Sequence, residues 1–214
     1  TNGRLTIIRV EPQSERSGIY TLGRPPQLLF ECAQTRGCYW LESVDWAPDG
    51  RRLAFSVTTL NMPSGYNGVH VINTVTGKDR RIGPRDGFDL DWSPDGSQLA
   101  YVEWAISGFG RPHGLIYVMR ADGSGRSLLR TGTAGRDSSP SWSPAGNRIA
   151  YSTRENGRSS VYVIGLDGSH RRLLVTQARA PAWSPSGARI AYRTGCSGVR
   201  LVTPHHSRPV SGVR

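Results

Sequence analysis

Lysine is almost missing from this chain. Of its 27 Lys and Arg residues only Lys78 is lysine, so arginine carries the formal charge of +11 and the pI of about 10.4. The arginines are spread along the chain and do not form blocks. That distribution argues against a continuous basic track for nucleic acid and suits a solvated basic surface or acidic partners. Long apolar runs are missing too. None approaches the roughly 20 residues that cross a bilayer as a helix, which excludes insertion by that route. A recognisable signal peptide and an initiator Met are absent, and a start at Thr1-Asn2-Gly3 is expected of a processed form or an excised piece. Three motifs of chemistry are lacking: the Gly-x-Ser-x-Gly nucleophile elbow, the phosphate-binding Gly-x-x-x-x-Gly-Lys-Ser/Thr loop, and a set of histidines with metal-ligand spacing. Cysteine is limited to Cys32, Cys38 and Cys196.

What is abundant is turn chemistry, with 26 Gly and 14 Pro, and tryptophan in a recurring context. Four segments read alike: Asp45-Trp46-Ala47-Pro48-Asp49-Gly50, Asp91-Trp92-Ser93-Pro94-Asp95-Gly96, Ser141-Trp142-Ser143-Pro144-Ala145-Gly146 and Ala182-Trp183-Ser184-Pro185-Ser186-Gly187. Their tryptophans are 46, 50 and 41 residues apart, the period of propeller blades. Each motif precedes a short alternating segment (Arg52-Leu53-Ala54-Phe55, Gln98-Leu99-Ala100-Tyr101, Arg148-Ile149-Ala150-Tyr151, Arg189-Ile190-Ala191-Tyr192). Alternation puts the bulky residues on one face of a strand and alanine on the other, so that one neighbour is filled against and the other approaches closely. A third strand follows, such as Leu115-Ile116-Tyr117-Val118 or Val161-Tyr162-Val163-Ile164. After it come a tight Asp-Gly turn at Asp122-Gly123 or Asp167-Gly168 and a fourth strand.

The N-terminal stretch reads as a further copy without its first strand, with Gly18-Ile19-Tyr20 as third strand and Gln27-Leu28-Leu29-Phe30 as fourth. At the other end, Arg208-Pro209-Val210 is a weak fourth strand. The expected fold is all-β: a single β-propeller domain of four-stranded antiparallel blades, about five, or six if upstream sequence is missing. Its repeats fall near residues 1–33, 34–82, 83–130, 131–175 and 176–214, with nineteen strands and one inner strand unaccounted for. Trp46, Trp92, Trp142 and Trp183 are then equivalent structural residues between blades. Closure by strands from opposite termini would hide exposed edges.

The Trp-Ser-Pro-Asp-Gly core, followed by Arg-(Leu/Ile)-Ala-(Phe/Tyr) and (Val/Ile)-Tyr-Val, resembles the TolB-like branch of the WD-repeat-like propellers over essentially residues 2–203. Ala145 and Ser186 depart from the pattern at the turn aspartate, leaving those turns to Gly146 and Gly187. The resemblance implies a cell-envelope location, periplasmic or extracellular, and a binding role; it transfers no partner.

In a four-stranded meander the second-to-third loops and the links between blades share one end. That end carries the long connections expected at 11–17, 33–42, 58–67, 104–113 and 131–140, and long loops on a rigid scaffold are where binding sites collect. Its arginines and aromatics make Tyr39, Trp40, Trp104, Phe109, Arg111, Arg136 and Arg154 the candidate ligand-binding residues. They suit a protein or an anionic glycan through stacking and forked hydrogen bonds. No cofactor, metal or catalytic residue is expected. The histidines scatter: His113 at the long-loop end, His170, His205 and His206 at the other, His70 inside a strand. The competing readings are an enzyme or enzyme subdomain acting on acidic polysaccharide, and the gating domain of a peptidase whose catalytic domain is absent. Cys32 and Cys38 close a small loop and are expected to pair in an oxidising compartment, where Cys196 would compete for either partner; the alternative is three free, partly buried thiols.

Overall fold

The computed structural model describes residues 6–11, 16–22, 25–32, 38, 40–58, 67–106, 112–129, 135–195 and 198–204. These form five antiparallel meanders in chain order. The first blade has three strands, β1 (Thr6–Glu11), β2 (Arg16–Thr21) and β3 (Leu28–Cys32). The second has four: β4 (Trp40–Trp46), β5 (Arg52–Thr58), β6 (Gly68–Asn73) and β7 (Asp79–Arg81). The third contains β8 (Gly87–Trp92), β9 (Gln98–Ile106), β10 (Pro112–Arg120) and β11 (Ser127–Leu128). The fourth contains β12 (Arg136–Trp142), β13 (Arg148–Glu155), β14 (Arg158–Gly165) and β15 (Arg172–Thr176). The fifth has β16 (Ala178–Trp183), β17 (Ile190–Thr194) and β18 (Gly198–Val202). Eighteen strands thus lie among the described residues. The nineteenth, expected at Arg208-Pro209-Val210, falls outside them.

Each blade packs on the next, and the alternation in the second strand explains how. Between the second and third blades, Ala47 and Ala54 offer small surfaces to Trp92, Leu99 and Tyr101. Between the third and fourth, Ala100 does the same for Trp142, Ile149 and Tyr151. Ala150 repeats the arrangement against Ile190 and Tyr192. The first interface is larger-grained: Ile19 and Phe30 meet Leu41, Trp46, Leu53 and Phe55, with the Phe30 and Phe55 ring centroids 4.4 Å apart. Trp46, Trp92 and Trp142 are buried. Trp183 is half-buried, packed at the edge of the last interface.

The motif turn is built the same way in each copy. The motif glycine adopts left-handed φ values of 64 to 71° at Gly50, Gly96, Gly146 and Gly187, a region open to glycine without cost. Its N–H donates to the carbonyl of the residue after the tryptophan, as from Gly96 to Ser93 at 2.9 Å and from Gly146 to Ser143 at 2.8 Å. The motif serine then fixes the second strand: Ser93, Ser143 and Ser184 Oγ accept from the N–H of Gln98, Arg148 and Arg189. In the second blade alanine replaces that serine, and Asp49 Oδ1 accepts from Arg52 N instead, at 3.1 Å.

Candidate functional site

The first strand of four blades contains a bulge between the motif half and the outer half. Register breaks between Leu41 and Val44, Phe88 and Asp91, Ser138 and Ser141, and Arg179 and Ala182. Three of these bulges hold a non-glycine residue at φ of 50°: Asp89, Ser139 and Ala180. A bulge bends its strand and re-aims the side chains beyond it. Here it separates an inter-blade seam below from a rim above.

The seam is polar. Asp45 Oδ2 accepts from Trp92 N at 2.8 Å, Asp91 Oδ2 accepts from Trp142 N, and Ser141 Oγ accepts from Trp183 N at 3.2 Å. At the bulge level Asp89 Oδ2 accepts from Ser139 N at 2.9 Å, and Ser152 Oγ from Ala180 N at 2.8 Å. Burial pushes the Asp45 carboxyl up to about 6, against the pull of hydrogen bonds from the Trp92 and Trp46 backbone. Asp91 is raised well above the ordinary carboxylate range, first by burial and then by the neighbouring charge of Asp45. The sequence alone gives these two aspartates no role beyond their place in the repeat. The readable signal was the residue before each tryptophan, which runs Asp, Asp, Ser, Ala along the chain.

At the rim, Trp40 opens β4 and Trp104 lies toward the end of β9, with 53% and 44% of their surfaces exposed. Trp104 stacks on Phe88 with ring centroids 5.1 Å apart. Arg136 and Arg154 are register partners across β12 and β13, and both are exposed. Neither makes a side-chain ion pair among the described residues. Gly114, paired with Trp104, brings β10 so close to β12 that a Cβ there would collide with the Asp137 carbonyl. This closeness fixes the rim of the third blade against that of the fourth. Tyr39, Phe109 and Arg111 lie outside the described residues, as do Cys196, His205 and His206.

Several expected loops are strand. Trp40, Trp104, Arg136 and Arg154 all belong to strands, because β9 and β10 pair as far as Ile106 with Pro112 and β12 begins at Arg136. In the fourth blade the second-to-third connection is the two-residue turn Asn156-Gly157, at φ of 50° and 79°, the signs that match the twist of a tight hairpin. The rim residues therefore stand on paired backbone. Cys32, which ends β3, is joined by a disulfide to Cys38, and both are buried. Of the histidines, His70 lies in β6, stacked on Phe55 at 5.3 Å, His113 is in β10, and His170 is in the turn before β15. Among the described residues no three His, Cys, Asp or Glu side chains are grouped to hold a metal ion.

The fold is that of known propellers. TolB from Acinetobacter baumannii superposes with a TM-score of 0.70 at 17% identity, over 93% of this chain and 49% of that one. A putative TolB from Agrobacterium tumefaciens gives 0.61 at 20% identity, over 80% and 61%. An oligogalacturonate lyase in complex with manganese gives 0.62 at 16% identity, over 88% and 54%. The chain thus spans about half the length of the first of these and three fifths of the second. At such identities the likeness establishes the fold. No curated protein sequence matches significantly. The sequence model of the TolB beta propeller domain matches residues 35–203, most of the chain and all four tryptophan motifs. The chain belongs to the TolB beta propeller domain family.

Proposed function

We propose that this chain is a noncatalytic binding propeller of the cell envelope, and that it engages a protein or glycan of acidic character across the rim. The observation that carries this reading is the Arg136–Arg154 pair. Like charges directly opposite one another across two strands weaken a sheet. Such a pair is relieved when an anionic group bridges the two guanidinium forks. The half-exposed Trp40 and Trp104 stand on the two preceding blades, and Trp and Arg are the residue types that dominate binding energy. The Cys32–Cys38 bond and the family support an oxidising compartment, periplasmic or extracellular.

The test is calorimetry with an acidic peptide and with oligogalacturonate at low salt, on the wild type, Trp104→Ala, Arg154→Glu and the control Arg51→Glu at the other end. The expected result is about a tenfold loss or more for the first two, as for a lost anchor or charge-assisted bond, and little change for the control. Equal losses in all three would mean diffuse attraction and no rim site. Turnover of a uronic-acid polymer that stops on adding chelator would replace the binding reading with an enzymatic one.

A further inference from the structure

The blades repeat their arginines but not the acids that neutralise them, and the fourth blade has lost both. In the second blade Arg52, at the start of the second strand, is paired through Nε with Asp49 Oδ2 at 2.7 Å and reaches Gly96 O at 3.0 Å. Its counterpart in the fourth blade is Arg148, and the counterpart of Asp49 is Ala145. In the third blade Arg126 donates to Tyr101 Oη at 2.9 Å, lies 4.0 Å over the Tyr117 ring and pairs with Glu103 at 2.6 Å. In the fourth blade Arg171 keeps the first two contacts, to Tyr151 Oη at 2.8 Å and over Tyr162 at 3.8 Å. Thr153 stands where the glutamate was. The guanidinium of Arg171 is oriented by two tyrosines, with no carboxylate paired to it among the described residues.

Arg148 lines a cavity of about 830 Å³ at the short-turn end of this blade, together with Arg172, Asn147, Ser169 and His170; Arg171 also borders it, but its guanidinium is turned to the opposite face, against Tyr151 and Tyr162. Arg148 and Arg172 lie on one face of the sheet: Arg148 pairs with Gly165, Arg172 with Val163, two residues apart on β14. Gly165 also lines the cavity, and the space a Cβ there would take is bordered by Asp167 Oδ1 at 2.7 Å. The carboxylate on the lining, Asp167, accepts from Ser169 N at 2.9 Å within its own turn. Neither Arg148 nor Arg172 makes a side-chain ion pair among the described residues.

We infer that this cavity binds a small polyanionic ligand through carboxylate or phosphate oxygens, at a site separate from the rim. Its volume is that of a small-molecule pocket, and two guanidinium groups, those of Arg148 and Arg172, present the forked donors that such oxygens accept. The two source chemistries share these donors, so the test carries one probe of each.

Citrate and inorganic pyrophosphate are titrated calorimetrically into the full chain at low salt. The variants are Ala145→Asp, which restores the acid of the second and third blades on an exposed turn, Arg172→Gln, and the rim variant Trp104→Ala. Arg51→Gln serves as a control at the same end of the second blade. Ala145→Asp and Arg172→Gln should each weaken binding about tenfold, the effect of one charge-assisted bond, while the rim variant and the control bind as wild type. Citrate alone binding assigns a carboxylate ligand, and pyrophosphate alone a phosphorylated one; either outcome supports the site. Absence of binding by both probes, or equal weakening by Arg51→Gln, would overturn it. Ala145→Asp melting as wild type does while retaining full affinity would overturn it as well.

Discussion

Trp92 shows what one residue does in this repeat. Its ring is buried among Ala47, Ala54, Leu99 and Met119, Arg52 sits 4.8 Å over its face, and its indole N–H donates to the Asp45 carbonyl at 3.2 Å. Trp92→Ala should cost about 3–5 kcal/mol of stability, the range for large core aromatics, and a denaturant midpoint series would measure it. The tryptophans were legible from sequence because a bulky residue at a fixed period has few uses other than packing. The aspartates before them were not. Asp45 and Asp91 gain a role only when the backbone N–H of the next blade is placed against each carboxylate. Their elevated pKa values set a sign. Protonation is easier in the folded chain, so the stability they confer is present at about pH 4 and is lost as pH rises through about 6 for Asp45. Asp95 works in the opposite direction. Hydrogen bonds from Ser93 and Ser97 hold it at about 2, so its contribution falls away only in stronger acid. Asp45→Asn keeps an acceptor for Trp92 N and removes the titration. It should gain on the order of 1–3 kcal/mol over wild type at pH 7 and nothing at pH 4, read from melts across that interval.

At the level of the strand, the sequence showed where chains turn but understated where they pair. Alternation and Asp-Gly turns located the blades. The outer ends of β9, β10, β12 and β13 were hidden, because a half-exposed edge carries Trp, Arg, Ser and Gly, which also mark loops. The bulges left no trace for the same reason: Asp89, Ser139 and Ala180 share a backbone shape and no side-chain chemistry. The link from β3 to β4 carries its own staple. Replacing Cys32 and Cys38 with serine should lower stability by about 2 kcal/mol, the chain-entropy value for so short a loop, and leave the rest of the fold intact. Thermal melts of the double variant beside reduced wild type would check it.

Across the whole molecule, five meanders packed in chain order make a quasi-one-dimensional object, in which each repeat depends chiefly on its neighbours. Fold and family were readable from four copies of one motif. The site was readable only in composition, because which arginine is neutralised depends on acids brought near by turn and register, and Ala145 and Thr153 lie three and eighteen residues from Arg148 and Arg171. The ladder on the first strands has a further property. In every rung the acceptor side chain belongs to the earlier blade and the N–H donor to the later one: Asp45 to Trp92, Asp91 to Trp142, Ser141 to Trp183. The polarity of the assembly is therefore the polarity of synthesis. Each blade leaving the ribosome already displays the oxygen that will seat its successor, and the chain is laid down like courses of masonry, every course finished on its upper side before the next arrives.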